Sequence, residues 1–492
     1  MDKMACEHSE KRIKLCGDDS VMHAKTRLIV HEESENDLCD EDIASDSTLH
    51  SAMQARLMLQ WMLGPLQVDE FYAKYWGKRP VVIKRKKQAF YNNCWFDERE
   101  MIRILEDHSL EYINDVDVAR YIDGTRETWL PEKSGIASGK DVWTKYAEGW
   151  SIRLLCPQQY SDRLWRLLSI LESEFGTMMG ANTYLTPPRA QGFAPHYDDI
   201  EAFILQLEGR KQWKVYSPRC TEQILPRVSS KNFQQDDIGD PLLEVELGPG
   251  DLLYLPRGYI HQAKTAKELH SLHITISAGQ HNAYADLMEV LIPQALQSAI
   301  QSNLSMRKSL PRNYLSYMGV MHSDLDEHAE RQKFISETKK QLKAIMTEAV
   351  AKLDAASDQM AKRFLMDRLP PALLDEEEDC SVEACPLLKI TVDTQFKLLR
   401  GEIARLVIEE DKAVVYHCKD NSRKHHENPI SPLEFEIDDA ECIEFILKSY
   451  PSAFRVGDLP HEDSDDQIGV AKALYDEGIL CFVKFDACNE AA

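Results

Sequence analysis

The sequence predicts an α+β chain of several domains: a β-rich unit of short strands, then a helical segment, then a mixed C-terminal module. Three observations carry this. Between Gly149 and Ser277, β-branched and aromatic stretches are broken by Gly and Pro turns, as in a sandwich or barrel of short strands. From Ala283 to about Leu369 the composition shifts to Ala, Gln, Lys, Glu and Leu, a helical character that Pro370-Pro371 ends. Past the acidic run Asp375 to Asp379, helix-like and strand-like stretches alternate to the end of the chain. At roughly 100 to 200 residues per domain, the 492 residues divide into more than one core.

In chain order, residues 1–50 are polar and acidic, which predicts a disordered tail. Within it, Lys11-Arg12-Ile13-Lys14 is too short to separate an import signal from a solvated charge run, and the solvated run is favoured. Folding is expected from Ser51, where Leu57, Met58, Trp61 and Met62 share one side of a helix, and the first domain spans 51–282. Its clearest strands are Ala202 to Leu207, Lys211 to Tyr216, Leu252 to Leu255 and Leu272 to Ile276. Glu208-Gly209-Arg210 joins the first two as a hairpin, and Gly248-Pro249-Gly250-Asp251 turns the chain into the third. Residues 283–371 form a helical domain, 372–383 an acidic linker and 384–492 the last domain. That domain has helix-like runs near Phe396 to Ile408, Ala440 to Ser449 and Gln467 to Glu477. With strand-like Ala413 to His417 and Ile479 to Phe485, the pattern is compatible with a winged helix.

The composition, 43% hydrophobic and 28% charged, is that of a globular protein. No apolar run approaches the roughly 18 residues a membrane span needs. The charged start Met1-Asp2-Lys3 lacks the apolar stretch of a signal peptide, so the protein is expected inside the cell. Its 12 cysteines form no Cys-x-x-Cys pair, the closest being Cys380 and Cys385, and reduced thiols are expected. A net charge of -24 argues against phosphate-dominated binding of nucleic acid by the whole molecule and suits basic partners. Charge alone is better explained by solubility.

Pro195-His196-Tyr197-Asp198 sets a histidine and an aspartate two residues apart, a spacing that in a strand puts both on one face. His261, after the turn Leu255-Pro256-Arg257-Gly258-Tyr259, offers a third ligand from another strand. Two imidazoles and one carboxylate on one side of an octahedral ion leave three adjacent positions open, the arrangement of non-haem Fe(II) oxygenases. A keto acid such as 2-oxoglutarate fills two and dioxygen the third. His-x-Asp alone reads more readily as a surface pair or a structural hydrogen-bond pair. What adds weight is Lys211, on the far strand of the hairpin, a cation for the distal carboxylate of 2-oxoglutarate. His270 and His273 rank below His261 as ligands, although His273 alternates with Leu272 and Ile274 and would face the barrel interior. His281 and His425-His426 read as solvated or core histidines.

The stretch Asn182-Thr183-Tyr184-Leu185-Thr186-Pro187-Pro188, then Gln191-Gly192-Phe193-Ala194 through the metal motif to Lys211, and Tyr254 to Gln262, closely resembles the ribosomal oxygenase branch of the JmjC-domain proteins. These are bifunctional lysine demethylases and histidyl hydroxylases of the nucleolus. The resemblance extends more loosely over nearly everything after residue 50. It implies a double-stranded β-helix catalytic domain of JmjC, cupin-like type, a helical dimerisation domain and a C-terminal winged helix. It makes His196, Asp198 and His261 the ligands of Fe(II) and Lys211 the anchor of 2-oxoglutarate, with dioxygen as the second cosubstrate. It sets Arg153, Asn182, Tyr184 and Ser277 around the substrate, Tyr184 touching the cosubstrate as well.

Two activities compete within that resemblance: hydroxylation of a histidine in a ribosomal protein and demethylation of a histone-tail lysine. The Asn, Tyr and Ser set suits a neutral ring better than a methylated ammonium, which calls for an aromatic cage. A non-catalytic scaffold is the reading from another class, and the intact metal and lysine positions count against it. A homodimer and a location in the nucleus, in nucleolus and nucleoplasm, follow from the resemblance. The winged helix, acidic at Glu409-Glu410-Asp411, Glu434 to Glu441 and Glu462 to Asp466, is expected to have a protein-interaction or structural role and not to bind DNA.

Overall fold

The computed structural model describes residues 28–31, 39–46, 49–88, 90–91, 96–131, 135–279, 281–424 and 431–483. In the first domain the strands are β1 (Ile29–His31), β2 (Val81–Lys84), β3 (Val116–Ile122), β4 (Thr125–Thr128), β5 (Ser151–Leu155) and β6 (Gly180–Thr186). They continue as β7 (Glu201–Gly209), β8 (Lys211–Tyr216), β9 (Leu243–Leu247), β10 (Leu252–Leu255), β11 (Ile260–Thr265) and β12 (Ser271–Ala278). A major sheet runs β1-β2-β10-β7-β12-β6-β5-β3-β4, and a minor sheet runs β11-β8-β9.

The two sheets face each other because each strand offers apolar residues to the space between them. Ala202, Ile204, Leu253 and Leu255 of the major sheet meet Trp213, Val215, Leu243 and Leu247 of the minor one. The alternate residues Phe203, Leu205 and Leu207 point the other way, into a larger core under the helices Ser51–Leu63, Val68–Lys74 and Asp162–Phe175. Both faces of β7 are thus covered, which is why Glu201 to Leu207 are buried without a break and read as a near-continuous apolar run. The sharp reversal from β7 into β8 requires glycine: Gly209 has φ +62°, and a Cβ there would lie 1.8 Å from the His270 carbonyl oxygen.

The helical domain packs Tyr284–Ser302 against Ala329–Ala351 and Leu353–Asp367 around a small core of Val290, Leu291, Ala295, Ala349 and Ala356. Beyond it lie β13 (Gln395–Leu398), β14 (Ala404–Glu409), β15 (Lys412–His417), β16 (Leu433–Glu436), β17 (Phe454–Arg455) and β18 (Leu480–Phe482), with helices Ala440–Ser449 and Ser464–Asp476. Sheets β17-β13-β18 and β14-β15-β16 enclose a separate core with those helices, the winged-helix arrangement. No described helix is long and apolar enough to cross a membrane, and all eight described cysteines are free thiols.

Four expectations need correction. Ile29–His31 of the tail forms β1, parallel to β2, and Asp40–Ser45 is a helix whose Ile43 enters the main core. Apolar Leu28, Ile29 and Ile43, outvoted by charge in a composition average, account for this order. The acidic linker is packed structure: Asp375–Glu378 is helical, and Glu377 is buried against Arg400 while accepting the Leu374 N–H. The helix expected over Phe396 to Ile408 is β13 and β14, because Phe396 and Leu398 alternate inward and pair with β17 and β18. Finally, His196 and Asp198 sit outside any regular strand, His196 forming an isolated bridge with His261. Lys11-Arg12-Ile13-Lys14 and His425-His426 lie outside the described residues.

Candidate metal and cosubstrate site

His261 enters β11 directly after a turn that only glycine permits at Gly258, with φ +91° and a Cβ position 2.1 Å from the Gln223 carbonyl oxygen. The antiparallel bridge between His196 and His261, with N···O distances of 3.2 and 2.8 Å, brings the two imidazoles side by side at 4.6 Å between ring centres. Asp198 completes the group: its carboxylate oxygens lie 3.7 Å from His196 Nε2 and 3.6 Å from His261 Nε2.

Each histidine is oriented through its other nitrogen. His196 Nδ1 lies 2.8 Å from the Ala194 carbonyl and His261 Nδ1 3.1 Å from the Tyr259 carbonyl, so Nδ1–H donates and Nε2 faces Asp198 with its lone pair free. Burial, with His196 beside it, pushes His261 down to about 4, which keeps the ring neutral and able to ligate. The donor set is therefore two Nε2 atoms and one carboxylate, all within 4.8 Å of one another. This fits a divalent first-row ion held on one side.

The three residues open on a cavity of about 380 Å³ between the sheets, a size suited to a small ligand plus a substrate side chain. Lys211 lines it from β8, 5% exposed, with Thr186 Oγ1 at 3.0 Å as its hydrogen-bond partner. Among the described residues no carboxylate lies within ion-pair distance of it, and burial pulls its pKa down to about 7. A buried ammonium without a counter-ion fits an anionic ligand that supplies one.

The remaining expected residues surround the same space. Arg153, Tyr184 and His273 stand in one row across β5, β6 and β12, while Asn182 and Thr275 form the next. Ser277 continues the β12 face, as its spacing from His273 and Thr275 implies, and all of these line the cavity. His273 is buried in the wall, parallel to Tyr184 at 4.8 Å, with its Nδ1 unpartnered. His270 instead pairs with Glu208 at 3.3 Å on the outside of the hairpin, and His281 is exposed beside Asp286. Among the described residues one other group with ligand-like spacing is found, Glu98, Glu208 and His270. Glu208 there accepts the Glu98 N–H, which ties the hairpin to the helix Glu98–Asp107.

Sequence reasoning missed Asp117, which pairs with Arg153 inside the wall, and Arg126, Trp213, Gln262 and Thr275, which line the cavity. Arg126 and Asp117 come from strands far upstream of the motif, and only the sheet order delivers them.

Comparison with known proteins agrees with this geometry. The JmjC domain model matches residues 153–287, and the model of the ribosomal oxygenase 1 C-terminal winged helix domain matches 369–484. Ribosomal oxygenase 1 of Rattus norvegicus is 42% identical over 441 residues, covering 87% of this chain and 73% of that protein. The chain belongs to the ribosomal oxygenase family.

Another relative, the bifunctional lysine-specific demethylase and histidyl-hydroxylase NO66 of Dictyostelium discoideum, is 39% identical over 465 residues, with 93% and 89% of the two chains covered. The Escherichia coli ribosomal oxygenase YcfD is a structural neighbour at a TM-score of 0.47 and 17% identity, covering 85% of this chain and 98% of that one. As a JmjC ribosomal oxygenase, the protein is an Fe(II)- and 2-oxoglutarate-dependent dioxygenase that uses molecular oxygen.

Proposed function

We propose that this oxygenase hydroxylates a histidine side chain of a ribosomal protein. In this reading His196, Asp198 and His261 hold Fe(II), and Lys211 with Thr186 takes the distal carboxylate of 2-oxoglutarate. The observation that carries it is the cavity wall: Asn182, Tyr184 and Ser277 present an amide, a phenol and a hydroxyl beside the metal cluster. Such neutral groups hydrogen-bond an imidazole or the peptide around it. The names of the relatives support the same choice, and they also include lysine demethylation.

Bound at this site, Fe(II) and 2-oxoglutarate supply the chemistry in which dioxygen oxidises a substrate C–H bond while 2-oxoglutarate becomes succinate and carbon dioxide. The protein's own part is positional. Arg153, tied down by Asp117, stands opposite Tyr184 in the sheet and fixes that ring in the wall. Asn182 and Ser277 then orient the target, since a misplaced bond costs much of the rate.

A peptide panel read by mass spectrometry tests this: with Fe(II) and 2-oxoglutarate, a ribosomal peptide gains one oxygen on a histidine. His196→Ala is expected to abolish that gain and metal binding together. Retained activity in His196→Ala refutes the ligand assignment, and turnover confined to methyl-lysine peptides refutes the histidine reading.

Two further readings attach to it. The helix Tyr284–Ser302 carries Tyr284, Met288, Ile292 and Leu296 at four-residue spacing, and the following helices carry Leu342, Met346, Val350 and Leu353, all exposed. A second copy of the chain covering these stripes makes the helical domain a homodimer interface. The winged helix serves protein contact and not DNA. Arg423 and Lys424, its cations near the cavity-bearing domain, are taken up by Asp162 at 2.6 Å and Asp115 at 2.9 Å. Basic partners, ribosomal proteins and histone tails, suit the net charge of -24, and placement in nucleolus and nucleoplasm is read by imaging the tagged full chain.

A further inference from the structure

We propose that the junction of the three domains binds one small anion of the halide class, chloride, in a cavity between Arg166, Arg368 and Arg400.

The helix Asp162–Phe175 of the catalytic domain sets Arg166, Ser169 and Ser173 at spacings of three and four, on one face. Arg368 ends the last helix of the helical domain, Leu353–Asp367, and Arg400 follows β13 of the winged helix. These residues, with Ser51 at the start of the helix Ser51–Leu63, line a cavity of about 20 Å³. That is room for one body of about the size of a water molecule. A phosphate or a carboxylic acid is too large for it. Because all three domains contribute a guanidinium, no one of them forms the cavity alone.

Charge and hydrogen bonding decide what fills it. A guanidinium offers five N–H donors and no acceptor. Arg368 donates to the Glu402 carbonyl and to Ser173 Oγ, with the Glu172 carboxylate at 3.8 Å. Arg400 is paired with Glu377. Arg166 donates to the Leu373 carbonyl at 3.3 Å and has no carboxylate within ion-pair distance among the described residues. Three cations thus meet two carboxylates, and neither carboxylate lines the cavity. Burial pushes Glu172 up to about 8, so near neutral pH the positive excess is larger still. Arg166 is also close enough to Arg400 for the two charges to oppose each other.

Other donors point the same way. Ser173 Oγ accepts from Arg368, which leaves its O–H to donate, and the first turn of the helix Ser51–Leu63 adds the positive end of its backbone dipole. What the junction lacks is an acceptor that is also negative, since uncompensated charge is costly to bury. A water molecule supplies the first and not the second. A halide supplies both, and being spherical it takes donors from several directions at once.

The test measures the melting temperature of the full chain at fixed ionic strength, so that screening is constant, as sodium chloride or bromide replaces sodium methanesulfonate, whose anion exceeds the cavity. A saturable rise of about 2–4 °C is expected at roughly ten times the halide dissociation constant. Arg166→Gln is expected to lose that rise. Should Arg166→Gln fail to fold, Ser169→Val, which fills the space, reads the same loss. Crystals soaked in bromide are expected to show an anomalous peak between the three guanidiniums. Equal melting temperatures in the three salts overturn the proposal, as does a cavity that holds water and no bromide. A halide-dependent rise that survives both variants places the anion elsewhere and overturns this site.

Discussion

In its proposed role as the 2-oxoglutarate anchor, Lys211 carries the cost of that role in a single side chain. Its ammonium is buried with a hydroxyl for company, and burial lowers its pKa to about 7. Between about 7 and the unfolded value, the folded chain holds fewer protons at this site than the unfolded chain does. The stability contribution is accordingly least favourable below pH 7 and improves as pH rises. Cosubstrate binding runs the other way, because a dianion needs the charged form. The dissociation constant of 2-oxoglutarate is expected to be flat below pH 7 and to rise above it by up to about tenfold per pH unit, with proton uptake on binding measurable by calorimetry in buffers of different ionisation enthalpy. Lys211→Met should weaken cosubstrate binding by about 2–3 kcal/mol and raise the melting temperature of the ligand-free protein, the usual trade between site and stability. A melting temperature that falls would mean that Lys211 is structural.

At the scale of elements, the turn before β11 decides where His261 points. Gly258 adopts a conformation that side chains rarely take, packed against the Gln223 carbonyl and Pro226. Gly258→Ala is expected to destabilise the protein by on the order of 2–3 kcal/mol, visible in denaturant unfolding, and to weaken metal binding because the turn moves the ligand. The hairpin at Gly209 and the strands around it were readable from turn chemistry and period. The run from Phe396 to Ile408 was not, since its Lys, Leu and Arg residues favour helix locally. Partners β17 and β18, 58 and 86 residues downstream of Phe396 in the pairings Phe396↔Phe454 and Phe396↔Phe482, override that preference.

At the scale of the whole molecule, the three domains are locked at one buried junction. Glu172, on the helix Asp162–Phe175 of the catalytic domain, accepts the N–H groups of Met179 and Leu369. Arg368, at the end of the helical domain, lies 3.8 Å from that carboxylate and donates to the Glu402 carbonyl of the winged helix and to Ser173. Burial pushes the Glu172 pKa up to about 8 even with Arg368 beside it, and removing Arg368 takes away the cation that opposes this rise and leaves the Glu402 carbonyl and Ser173 without their donor. Arg368→Ala is expected to cost about 3 kcal/mol or more, seen as a lower melting temperature and faster proteolysis between the domains. The exposed helical stripes lead to a second prediction, that Ile292→Glu with Met346→Glu converts a dimer into a monomer in light scattering while leaving far-ultraviolet circular dichroism intact. A wild-type monomer would remove the dimer reading.

The sequence by itself marked His196, Asp198, His261 and Lys211 as candidates, through the resemblance of the stretch that carries them, and set the domain order through turn glycines and the switch from period two to helical composition; that these four side chains meet at one cavity is decided by the fold. The sequence also placed Asn182, Tyr184 and Ser277 on one wall, since alternation along a strand fixes the face. Tertiary structure alone decided what stands opposite them. Through the lateral order β6-β5-β3-β4, Asp117 reaches Arg153 and Arg126 reaches the cavity, and the tail joins the sheet through β1. Sheet order is set by which apolar faces can be covered at once, a condition on the whole chain, and no window of neighbouring residues contains it.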